Sequence, residues 1–247
     1  VGADTYFDTV EERLRTARAA NREALELATQ VAVETITNGG VIWAFGCTHA
    51  SIPAQELFFR AGGLVLINPL YAPGLVPTVR PITLSTKLER IADYGREVVL
   101  QSDVRSGDLV IVISASGRNA VPVDVALAAK ERGARVLTVL SVTYCKGVSA
   151  RHPSGLKLCD VDADVVFDIG GDAGDAAVPV PGTALRTGAT SNIIAMYLLN
   201  GLMVNVVTRL AETGMSPLPV FVSANVDGGD EHNARVLSHY RGRLGYL

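Results

Sequence analysis

Cysteine is scarce in this sequence. Only Cys47, Cys145 and Cys159 occur, and they share no metal-ligand spacing. That excludes a zinc ribbon or a cysteine-rich scaffold, and the odd count predicts no disulfide framework. The expected setting is reducing and cytoplasmic, with no metal and no cofactor. Long basic runs are missing too. The 22 Lys and Arg stand against 25 Asp and Glu, for a formal net charge of −3, so nucleic acid is not an expected partner. The first residues carry a charged helix pattern and no signal-peptide pattern. The most apolar stretch, 193–207, is broken by Asn200, Gly201 and Asn205. It reads as too short for a membrane span and as a core or interface helix. What the chain does have is aliphatic bulk. At 247 residues and 48% hydrophobic, it can bury a sizeable core.

The clearest pattern runs from Gly107 to Ser141. Leu109–Ile113 is a β-branched run suited to a strand buried on both faces. Ser114-Ala115-Ser116-Gly117-Arg118-Asn119 follows, then a helix pattern over 120–132. Asn119 is a plausible N-cap, Pro122 sits in the first turn, and Gly133 can close the end. Arg135–Leu140 is the next strand. Small hydroxyls and a glycine thus stand at a helix N-terminus beyond the end of a strand. Free backbone N–H groups converge there, which suits a phosphate monoester. An ordinary polar loop with a serine cap satisfies the same pattern.

A second unit of this kind precedes it. Residues 41–46 form a strand, Cys47-Thr48-His49-Ala50-Ser51 its loop, and 53–61 a helix. Residues 64–67 form another strand. Two such loops in one parallel sheet meet where strand order reverses, the usual ligand crevice. Upstream, residues 5–37 read as one long helix. A largely apolar seam recurs every three and four residues through Phe7, Val10, Leu14, Ala17, Asn21, Ala24, Ala28, Val31 and Thr35. That seam wants a partner helix or the chain's own sheet, and Asn21 could fix register. Residues 69–83 are a Pro- and Gly-rich loop, and 84–94 looks helical. Residues 165–169 read as a fifth strand, 170–188 as a loop and 189–212 as a long helix. The tail holds a polar stretch, 223–233, before a helix pattern over 233–241. No linker divides the chain. The expectation is one unit over 1–247: helix 1–38, α/β core 41–213, and tail 214–247 carrying a site loop.

Gly46–Ser51 and Ser114–Asn119, each after a strand, resemble the two loops of the SIS (sugar isomerase) domain. The whole chain is similar to the UPF0309 family of SIS-domain proteins. That match rests on Glu56–Gly63, Ser116–Pro122, Arg151-His152-Pro153-Ser154-Gly155, Val222–Asn225 and Asp227–Asn233. The resemblance implies a doubly wound α/β fold, a five-stranded parallel sheet flanked by helices and flavodoxin-like. It implies a homodimer or tetramer with sites near interfaces, and phosphosugar ligands. Carried over, Ser114, Ser116 and Gly117 match the phosphate loop, while Asn119 stands where Ser or Thr is usual. In the first loop Gly46 matches, Thr48 replaces a glycine, and Ser51 lies one residue beyond the usual serine. Related enzymes place a catalytic Glu further down the first-loop helix, where this chain has no acid.

Aldose–ketose isomerisation needs a group to open the ring, a base to move a proton between C1 and C2, and stabilisation of the enediolate. Glu56, His232 and His49 are the catalytic candidates, with Glu89, Glu231 and Lys87 also in reach of the argument. His232 could serve its own pocket or a partner's; equally, it could latch the tail. Ser114, Ser116, Gly117, Asn119, Ser51, Thr48 and Arg118 are the binding candidates. Three functions stay open: a sugar phosphate isomerase, a non-catalytic sugar-phosphate sensor, and a sugar-phosphate etherase of the lyase type.

Overall fold

A computed structural model describes residues 2–247. Five strands form its sheet: β1 (Ile42–Gly46), β2 (Ile67–Pro69), β3 (Leu109–Ile113), β4 (Arg135–Leu140) and β5 (Val165–Asp168). Their order is β2-β1-β3-β4-β5, and every pair is parallel. This is the doubly wound order whose reversal lies between β1 and β3. All residues of β1 and β3 are buried, because helices cover both faces and leave no solvent side.

The long N-terminal pattern is two helices, α1 (Gly2–Ala20) and α2 (Arg22–Thr37), broken at Asn21. The cause is visible in the Asn21 amide. Its Nδ2 donates to the Ala17 carbonyl at 2.7 Å and to the Asp168 carbonyl at 2.8 Å. Its Oδ1 accepts the Asp168 N–H at 2.8 Å. Asn21 thus pairs the free edge of β5 as a strand residue would. The seam of α2 lies on its own sheet, against β1, β3 and β5.

The first-loop helix, α3 (Ser51–Leu57), ends four residues before the pattern predicts. Phe58 turns extended and Phe59 adopts φ +44°. The two rings then pack edge-on, Phe58 on Tyr246 and Phe59 on Phe221. The next apolar run starts as a partner of the tail, with Leu64 bridging Val220 antiparallel, so β2 begins later than the composition predicts. The helix expected over 84–94 is two short ones, α4 (Ile82–Leu88) and α5 (Tyr94–Leu100). Asp93, at φ +65°, breaks them.

The helix α6 (Ala120–Glu131) follows β3 as predicted and lies on β3 and β4, packed against α5. A one-turn helix, α7 (Val142–Lys146), follows β4. The stretch expected to be loop, 170–188, carries a hairpin of β6 (Val178–Pro179) and β7 (Arg186–Thr187). The apolar helix α8 (Ser191–Glu212) has 22 residues, long and apolar enough to cross a bilayer. That corrects its reading as too short. Its Ile194, Leu198, Leu202 and Val206 are nevertheless buried, and the helix packs on α1, α2 and α3. The tail helix α9 (Gly229–Tyr240) starts four residues early and takes His232 into its first turn.

The expectation of no disulfide is overturned: Cys145 and Cys159 are bonded to each other, leaving only Cys47 free. A short turn at Leu158–Asp160 folds back beneath α7 and brings them together. Spacing in the sequence does not announce that approach.

Candidate functional site

A cavity of about 250 Å³ opens between the two βα loops at the reversal point. Its walls include Cys47, Thr48, His49, Glu89, Ser114, Ser116, Asn119, Tyr144, Asp175, Ser191 and Asn192.

The first loop turns back on itself at Gly46, where an added Cβ would lie 2.0 Å from the Ala50 carbonyl oxygen. No side chain fits that approach. Thr48 is left-handed at φ +53° and donates its N–H to the Leu75 carbonyl at 2.6 Å. Ser51, expected to touch substrate, is buried beneath the loop instead. Its hydroxyl donates to the Thr48 carbonyl at 2.6 Å and accepts from Gln55 Nε2 at 3.0 Å. Thr48 and His49 reach the cavity, His49 as an exposed residue whose carbonyl accepts from Asn192 Nδ2 at 2.9 Å.

The second loop forms the floor. Gly117 is left-handed at φ +59°, and a Cβ there would meet Cys145 Sγ at 2.7 Å. Its N–H donates to Ser114 Oγ at 3.2 Å. A hydroxyl that accepts this bond keeps its own proton to donate into the cavity. The N–H groups of Ser116, Arg118 and Asn119 have no protein acceptor among the described residues. These donors sit at the start of α6, where the helix dipole favours an anion. The other helix start in the cavity differs. Asp175 accepts from the Thr190 and Ser191 N–H groups at 3.0 and 2.9 Å, so α8 is already capped by a carboxylate. The α6 start is therefore the open anion position.

Arg118 does not line the cavity. Its guanidinium donates to the Ser149 carbonyl at 3.1 Å and the Ser149 hydroxyl at 2.9 Å. Asn119 occupies the N-cap position of α6, yet its side chain makes no cap bond. Its Oδ1 accepts from Arg151 Nη1 at 2.8 Å, and its amide stands beside the Glu89 carboxylate in the cavity wall.

Glu89 is the carboxylate left out of the catalytic set by sequence reasoning. It follows α4, and its carbonyl accepts the Val121 N–H at 3.2 Å, tying it to the first turn of α6. Burial pushes its carboxyl above the ordinary glutamate range, while Asn119, Arg90 and Arg151 pull it back. Cys47 is buried beside it, and burial, then the Glu89 charge, drive that thiol well up. A thiol so held is protonated and inert as a nucleophile.

Glu56 and His232 are not brought to the cavity. Glu56 pairs with Arg60 and accepts from Asn200 Nδ2 at 3.4 Å. His232 donates Nε2–H to the Val220 carbonyl at 2.9 Å and accepts from Arg235 at Nδ1. The imidazole is spent on the tail, as a latch would be. The stretch around it lines a different and larger groove of about 500 Å³, beside Phe59 and Phe221.

The SIS domain family matches residues 5–141. A UPF0309 protein of Shouchella clausii is 37% identical over 244 residues, covering 99% of this chain and 98% of that one. Two solved phosphoheptose isomerases share the fold at low identity. That of Francisella tularensis aligns with a TM-score of 0.56 at 13% identity, over 83% of this chain and 95% of its own. That of Neisseria gonorrhoeae aligns with a TM-score of 0.54 at 18% identity, over 83% and 96%. With its two loops at the strand reversal and a relative matched end to end, the chain belongs to the UPF0309 family of SIS-domain proteins.

Proposed function

We propose that the cleft binds a phosphorylated sugar and interconverts its aldose and ketose forms. The observation that carries the reading is the open start of α6, facing a half-buried carboxylate across one cavity. Ser114, Ser116 and the free N–H groups hold the phosphate there, on a turn that Gly117 allows. Thr48 and Asn119 border the sugar. Glu89 is the base that carries a proton between C1 and C2, since a carboxylate beside the bound sugar can accept a proton and return it, and burial makes this one more basic than an ordinary glutamate. His49, at the rim, assists ring opening. The names of the two solved neighbours support this substrate class. The same reading takes the protein as a homodimer or tetramer, because Phe7 on α1 and Tyr197 and Val204 on α8 stay exposed.

The test is turnover of a phosphosugar panel by wild type and Glu89→Gln. The reading expects turnover of at least one sugar by wild type, and loss of about a hundredfold or more in the variant. Binding without turnover across the panel would favour a sensor over an enzyme.

A further inference from the structure

The Arg151-His152-Pro153-Ser154-Gly155 turn has no place in the chemistry so far. It belongs to a strap, 145–159, laid across the second loop. The Cys145–Cys159 disulfide closes its ends. Leu158 N–H donates to the Gly117 carbonyl at 2.8 Å, and Arg151 N–H to the Arg118 carbonyl at 2.9 Å. His152 wedges the middle. It donates Nε2–H to Asp124 Oδ1 at 2.8 Å, and its Nδ1 accepts the Ser154 hydroxyl at 2.6 Å and the Ser154 N–H at 3.1 Å. Asp124 is on α6 and 4% exposed. The strap is therefore anchored to the same helix whose start forms the floor of the cavity.

That anchoring aims one side chain. Arg151 Nη1 donates to Asn119 Oδ1 at 2.8 Å, and Asn119 and Glu89 line the same cavity with the amide beside the carboxylate. An amide is suited to such a relay, because it can accept from a cation at one atom and leave its N–H groups to face an anion. A Ser or Thr hydroxyl at 119 has one short-reaching oxygen for both tasks. We propose that Arg151 is a positioning residue: through Asn119 it holds the Glu89 carboxylate in the cavity, oriented toward the bound sugar. This rests on the reading of Glu89 as the base of a phosphosugar isomerase. The relay also accounts for an amide at position 119.

The charged and titratable groups around Glu89 come from several elements. Arg90 adjoins it, Arg151 faces it from the strap, and Cys47 faces it from the first loop. Arg118 and Tyr144 stand next to Arg151 in turn.

The experiment follows the Glu89 carboxyl by ¹³C NMR across pH, with Glu89→Gln to assign the signal. It needs no substrate, so its failure is separate from failure of the isomerase reading. Arg151→Gln should move the titration midpoint upward, since a cation that favours the ionised form is gone. Asn119→Ala should also move it upward, by removing the amide donor beside that form. Arg151→Lys, which keeps the charge and a donor, should stay near wild type. An unmoved midpoint in folded Arg151→Gln overturns the proposal, whatever happens to its Tm. If that variant does not fold, Asn119→Ala decides, because the strap's bonds to Gly117, Arg118 and Asp124 survive in it. With any sugar that is turned over, Arg151→Gln should lower kcat on the order of tenfold at unchanged KM. A raised KM at unchanged kcat would put Arg151 on the substrate and overturn its positioning role.

Discussion

Replacing Asn21 by alanine tests what breaks the N-terminal helix and where its seam packs. Asn21 is 2% exposed and bonds both backbone groups of Asp168. Truncation leaves that N–H and carbonyl at the sheet edge without partners and opens a small void. An orphaned buried group costs about 1–3 kcal/mol, and a lost hydrogen bond about 1. Two orphaned groups at the low end of that range and one lost bond come to about 3 kcal/mol, which at this chain length lowers Tm by about 6–12 °C. Asn21→Leu fills the void but orphans Asp168 equally, so it should recover only a small part. Asn21→Asp should be worst, because a carboxylate would face the Ala17 and Asp168 carbonyls. Calorimetry gives Tm, and light scattering on the same samples gives mass. The reasoning predicts a lower Tm at unchanged mass. It is refuted if Asn21→Ala is as stable as wild type. It is refuted too if the variant loses a partner chain, which would put Asn21 on a seam between subunits.

His232→Ala should cost about 1 kcal/mol through the lost bond to the Val220 carbonyl, and leave phosphosugar affinity and turnover unchanged. Abolished turnover in a folded variant would return His232 to the mechanism. Glu89→Gln should lose turnover and gain stability at neutral pH. Burial raises the folded pKa of Glu89, so the folded state holds the proton more tightly than the unfolded chain. Stability from this group is therefore intact below the unfolded value, about 4.3, and falls as pH rises through the folded value. The advantage of the Gln variant should accordingly vanish in acid, as read by unfolding at pH 3.5 and pH 7.

The unit from Leu109 to Leu140 was legible because local signals agree there. A β-branched run, a helix with its stop glycine and a second apolar run point to one answer, and tertiary contacts reinforce it. Elsewhere the decisive contacts are remote. Nothing near Phe58 announces that its ring will pack on Tyr246, or that the helix must end to allow it. The split at Asp93 likewise serves the bond between the Glu89 carbonyl and Val121. That is why Glu89 was ambiguous: on a continuous helix it reads as one more solvated acid. Asn119 was legible as a cap-forming type at a helix start, but its side chain is diverted to Arg151, 32 residues away. For His232 and Glu56 the sequence did not announce a place apart from this chain's own cavity. Their residue types suit catalysis, and only the fold shows the Val220 carbonyl and Arg60 already using them.

If the start of α6 holds the phosphate of a sugar, its two serines carry much of the affinity. Calorimetric titration of phosphosugars into wild type and Ser114→Ala/Ser116→Ala tests it most directly. Two hydroxyl bonds to a charged group are worth about 1.5–3 kcal/mol each, so affinity should fall on the order of a hundredfold or more. Tm should fall by about 2–12 °C, because Ser114→Ala leaves the Gly117 N–H without its acceptor while Ser116 only edges the cavity. Equal affinity in the double variant, or no phosphosugar bound by wild type, would show that the α6 start is not the phosphate site.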